Sequence, residues 1–92
     1  MPKIKWNPEK NTWLKANRQV SCEDVAKAIE KNQVIKIEDH HNQTKYAKQK
    51  LVYFKHEGYI FVAPCVIKND EIFIKTIYAS RKATKKLLRR SI

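Results

Sequence analysis

Glycine occurs once and proline three times in 92 residues, which excludes a collagen-like or low-complexity chain. Cysteine occurs only at Cys22 and Cys65. Two thiols make no disulfide framework and lack the second pair of ligands that a zinc site needs, so both read as small buried hydrophobes. No apolar run approaches the ~20 residues of a membrane span, and the Met-Pro-Lys-Ile-Lys start lacks the apolar stretch of a secretory signal. The expectation is a cytoplasmic protein. Acidic residues are also scarce, with nine Asp and Glu against twenty Lys and Arg, a net charge of +11. Self-repulsion of that size makes a polyanion, an anionic membrane or an acidic protein the natural partner.

What is present suffices for one core. Apolar residues make up 42% of a 10.9 kDa chain, enough for a single domain over residues 1 to 92 and too little for two. The positive charge is uneven. Residues 1 to 46 carry nine basic and six acidic groups, whereas residues 47 to 92 carry eleven and three, so the C-terminal half holds the anion-seeking surface.

Local signals divide the chain into helices and strands. Asn7-Pro8 is an N-cap followed by proline at the first helical position, and predicts a helix from about Pro8 to Asn17. Ser21 with Asp24 three residues on is a capping-box variant, and Cys22, Val25, Ala26 and Ile29 recur at one-face spacing to about Asn32. The period then changes, and Val34 to Glu38, Lys48 to Lys55, Tyr59 to Ile67 and Glu71 to Tyr78 read as four strands. Glu57-Gly58 and Asn69-Asp70 supply hairpin turns, so the last three strands form an antiparallel meander. Pro64 inside the third strand predicts a bulge or an unpaired backbone position. Ser80 to Arg90 places Ala83, Thr84, Leu87 and Leu88 on one side of a helix and six cations across the other. The expected fold class is α+β, with two N-terminal helices packed on a mainly antiparallel, twisted four-stranded sheet and a basic C-terminal helix.

Arg81 and Lys82 occupy the first turn of that last helix, where the helix dipole disfavours positive charge. An anion held between the free N–H groups of the turn and the two cations resolves the conflict. Tyr46, Tyr53, Tyr59 and Tyr78 lie among Lys45, Lys48, Lys50, Lys55 and Lys75, a mixture that suits base stacking beside phosphate contacts and equally suits a half-buried sheet. His40 and His41 point to opposite sides of an extended segment, so they chelate no ion together. A histidine can instead act as general base on an RNA 2′-hydroxyl where cations stabilise the phosphorane. No Gly-rich phosphate loop, no Gly-x-Ser-x-Gly elbow and no paired carboxylate cluster of the kind that hydrolyses a sugar or ester is present. An enzyme built from these residues works through bases and cations, and no cofactor or metal is expected.

The densest candidate is Lys75-Thr76-Ile77-Tyr78-Ala79-Ser80-Arg81-Lys82-Ala83-Thr84. It resembles the strand-to-helix junction ending Ser-Arg-Lys-Ala-Thr, or Ala-Arg-Lys-Ala-Thr, of the BrnT-like toxins of bacterial type II toxin-antitoxin systems. Trp6 with Lys10-Asn11, then Val20-Ser21 and Glu23, match that family's opening pattern. The chain departs from it in having Trp6-Asn7-Pro8 rather than Trp-Asp, and in the added His40-His41 loop.

The resemblance implies a small toxin of the RelE/ParE-like superfamily, an mRNA-directed endoribonuclease that inhibits translation and is neutralised by an acidic antitoxin. Operator DNA would be contacted only through the antitoxin, and no membrane is involved. On this reading His40 or His41 is the general base, Lys75 and Arg81 stabilise the phosphorane, and Tyr78 positions a base or donates a proton. Lys82 and Lys85 hold flanking phosphates, with Lys48 and Lys50 as further RNA contacts. Two alternatives stay open, a toxin of the same fold that binds a protein such as DNA gyrase, and a basic nucleic-acid-binding module.

Overall fold

Three side-chain caps set where the helices begin. In the computed structural model, which describes residues 3–40 and 49–88, the Asn7 side chain accepts from the N–H groups of Glu9 and Lys10 at 2.8 and 3.2 Å and starts α1 (Pro8–Arg18). The Ser21 and Asp24 side chains each accept from the other residue's backbone N–H, at 3.2 and 2.9 Å, and start α2 (Cys22–Glu30). Ser80 Oγ accepts from Ala83 N–H at 3.1 Å and starts α3 (Arg81–Leu88). Each device lies within three residues, so each was legible locally.

The sheet differs from the expected one. Among the described residues it has six strands and is mixed: β1 (Lys3–Trp6), β2 (Val34–Asp39), β3 (Gln49–His56), β4 (Tyr59–Lys68), β5 (Glu71–Ile74) and β6 (Tyr78–Ala79). Their order is β1-β5-β4-β3-β2, with β6 also on β4. Two N-terminal helices on a four-stranded, mainly antiparallel sheet is therefore corrected on two counts. Four residues ahead of the first helix form β1, which pairs in parallel with β5 from Lys3↔Glu71 to Trp6↔Ile74 and turns Ile4 and Trp6 against the core. A four-residue segment carries too little periodicity to be read as a strand, and it becomes one because β5 offers an edge and the core offers burial.

The second correction comes from Pro64. Cys65 pairs with Ile74 while Val62 pairs with Tyr78, so residues 75–77 pass opposite only residues 63 and 64. The single fourth strand expected from Glu71 to Tyr78 is thereby split into β5 and β6. Pro64 has no N–H to donate toward that edge, and its carbonyl accepts from Lys75 N at 2.8 Å. Ile77, in the extra length of chain, is fully buried.

Alternation along β3 and β4 gives the sheet two covered faces. Val52, Phe54, Phe61, Ala63 and Cys65 face Leu14 of α1 and Cys22, Val25 and Ala28 of α2. Leu51, Tyr53, Ile60 and Val62 face Ala83 of α3. The helices thus lie on opposite faces. Full burial of Leu14 and Val25 contributes roughly 1.5–3 kcal/mol each. Asn11 is the buried polar clip between the first two helices, accepting from Cys22 N–H at 2.7 Å and donating to Glu23. The hairpin turns are where expected, Glu57 and Gly58 both at positive φ and Asn69 at 54°. Cys22 and Cys65 are free and buried. Among the described residues no helix is long and apolar enough to cross a membrane.

Candidate nucleic-acid interface

The Ser80-Arg81-Lys82-Ala83-Thr84 segment divides by role. Ser80 caps the helix, and its N–H donates to Ile60 O at 2.9 Å. Thr84 Oγ1 accepts from Ile60 N–H at 2.9 Å and donates to Ser80 O at 2.7 Å. Ala83 packs on the sheet. Three of the five residues therefore lock the start of α3 to the start of β4. Arg81 and Lys82 are left exposed in a first turn without an acid.

Lys82 lines a cleft of about 200 Å³ between α3 and the β2–β3 edge, together with Lys36, Glu38, Tyr53, Ser80, Ala83 and Lys86. Register explains the meeting. Lys36 pairs with Tyr53 and Glu38 with Leu51, after an irregularity between Val34 and Lys36. Without the extra residue at Ile35 the alternation would carry Lys36 and Glu38 to the opposite face. Glu38 is held by Lys36 Nζ at 2.7 Å and by the Tyr53 hydroxyl, which donates at 3.2 Å. The Lys36 ammonium also lies 4.6 Å from the centre of the Tyr53 ring. Burial, reinforced by the Glu38 charge and its hydrogen bond, pushes the Tyr53 phenol up to about 12, so at neutral pH it is a proton donor.

A second aromatic lies along the same line. Tyr53 and Tyr78 both pair with Val62, from opposite sides of β4, and run Lys36–Tyr53–Val62–Tyr78 across the sheet. Tyr78 is 38% exposed, open enough for a base to stack on, and burial of the rest raises its phenol pKa. Lys75 follows β5 on the same edge of β4, its ammonium 5.5 Å from the centre of the Phe73 ring.

The expected site residues are distributed as follows. Lys82 joins the cleft, Arg81 and Lys85 are exposed on the same helix, and Tyr78 and Lys75 extend the surface along β6 and β5. Lys50 is ion-paired with Asp39 at the far end of β2. His40 follows β2, its N–H donating to Gln49 O at 3.1 Å. Three strand spacings, roughly 14 Å, separate its backbone from Lys75. His41 and Lys48 lie outside the described residues. Sequence reasoning missed Lys36 and Glu38 as site residues. Their alternation around Ile37 placed them on one face, but nothing local said which face.

Among the described residues no three His, Cys, Asp or Glu side chains gather as a metal site. Comparison of the chain with protein-family models, with curated proteins and with solved structures gives no match.

Proposed function

We propose that this chain is the toxin component of a toxin-antitoxin pair and cleaves mRNA at the cleft between α3 and β2–β3. One observation carries the reading: three lysines, Lys36, Lys82 and Lys86, surround a carboxylate and a phenol that already share a hydrogen bond. Transesterification of RNA needs those parts, a base for the 2′-hydroxyl, cations for the phosphorane and an acid for the leaving oxygen. Glu38 takes the 2′-hydroxyl proton as the 2′-oxygen attacks phosphorus. The departing 5′-oxygen receives the Tyr53 proton, and the Glu38 proton passes to the phenolate along their hydrogen bond. The products are a 2′,3′-cyclic phosphate and a 5′-hydroxyl. Arg81, Lys85 and Lys75 hold flanking phosphates, and Tyr78 offers a stacking surface. An acidic antitoxin segment neutralises the chain by covering the basic face of α3.

The test is incubation of the purified protein with mRNA, free and on ribosomes, with end-group analysis of the products. Glu38→Gln is expected to lower cleavage by about 10²–10⁴-fold, the usual contribution of a general base, while RNA binding survives. Lys82→Glu is expected to weaken binding and reduce its salt dependence. RNA left intact in both settings overturns the ribonuclease reading. Pulse labelling in which DNA synthesis stops before protein synthesis would favour a protein target instead.

A further inference from the structure

We propose that the outer edge of β2 pairs with the same edge of a second copy, making a dimer whose sheet runs unbroken across a two-fold axis. β2 ends the strand order, so among the described residues nothing pairs with its outer side. The N–H of His40 points to β3, where it donates to Gln49 O. Backbone groups alternate along an antiparallel ladder, so Ile37 and Asp39 direct theirs outward. Ile37 is 54% exposed and Ile35 41%, two large apolar side chains on an open edge of a strongly charged protein.

The charge pattern chooses the partner and the register. An edge lysine ordinarily repels a foreign strand, but here Glu38 follows Lys36 two residues later on the same face. Centring an antiparallel pair on Ile37 sets Lys36 opposite Glu38 of the second copy, twice, by symmetry. On the other face Ile37 meets Ile37 of the second copy. Moving the centre to Lys36 would set lysine against lysine. The edge is thus self-complementary, as a two-fold interface requires. Both cation-lined clefts then open on the same face of the joined sheet, one on each side of the axis. The net charge of +11 on each copy opposes association, so the dimer forms where salt screens that repulsion.

Sedimentation or light scattering of the full chain across the micromolar range at moderate salt is expected to show the mass rising from one chain to two. Ile37→Asp is expected to stay at one chain with an unchanged circular dichroism spectrum. Lys36→Glu and Glu38→Lys place like charges opposite each other and are each expected to remain single. An equimolar mixture of these two variants restores opposite charges at both positions, and so restores the two-chain mass. Only contacts between copies can produce that rescue. As a measure independent of affinity, Ile37→Cys is expected to give a covalent dimer on mild oxidation, its Cα separation of about 5.5 Å across the axis suiting a disulfide. Ile67→Cys, also partly exposed, is expected to give none. A parent chain that keeps the mass of one copy throughout, or a mixture of the folded charge variants that fails to associate, overturns the proposal.

Discussion

Replacing Thr84 with valine removes one oxygen and keeps the shape of the side chain, and the structure makes that oxygen a junction. Thr84 Oγ1 is the acceptor for Ile60 N–H, and Ile60 is fully buried. Valine leaves that donor without its partner, which costs about 1–3 kcal/mol. For a domain of this length each kcal/mol lowers Tm by roughly 4–8 °C. Thr84→Ser keeps the hydroxyl and loses one methyl group, worth about 0.8 kcal/mol at most when fully buried. Urea titration of the three proteins is expected to rank them parent, serine, valine, with hydrogen exchange at the Ile60 amide accelerated in the valine variant. RNA affinity should fall in the valine variant although no charge has changed, because the start of α3 positions Lys82 over the cleft. A valine variant within about 0.5 kcal/mol of the parent, the scatter expected of an ordinary surface substitution, would refute this account of the junction.

Arg81 and Lys82 are unfavourable charges in a helix first turn, so replacing both with alanine is expected to leave stability level or slightly higher while RNA cleavage drops. A large loss of stability, read by thermal unfolding, would make them structural partners instead. Burial raises the Cys22 thiol to about 11 and the Cys65 thiol to about 12 from 9.0, as it raises Tyr53 to about 12 from 10.0. The folded state holds these protons longer than the unfolded chain, so the stability these three groups contribute is complete below about pH 9 and is lost as pH rises from about 9 to about 12. Denaturant titrations across that range check the sign, and a thiol reagent at neutral pH should find neither cysteine until the protein unfolds. An acidic antitoxin should associate at a rate that falls steeply with salt while its dissociation changes little. Stopped-flow kinetics with a synthetic acidic amphipathic peptide in the antitoxin's place would show this.

What was legible in the sequence is what a few neighbouring residues decide. Asn7, Ser21 and Ser80 begin helices because each side chain caps N–H groups two or three positions away. Glu57-Gly58 and Asn69 turn because their own backbone enters the left-handed region. The conflict of Arg81 and Lys82 with the helix dipole singled out the first turn of α3 for the same reason. Tertiary structure decided everything that depended on an edge or a register. Lys3 to Trp6 became a strand only because β5 stood open beside it, and Pro64 split one strand into two by withholding a donor from Lys75, eleven residues away. The cleft is the clearest case. Lys36, Glu38 and Tyr53 meet because an extra residue at Ile35 shifts β2 by one position against β3, and with a side-chain period of two, one position exchanges the faces of the sheet.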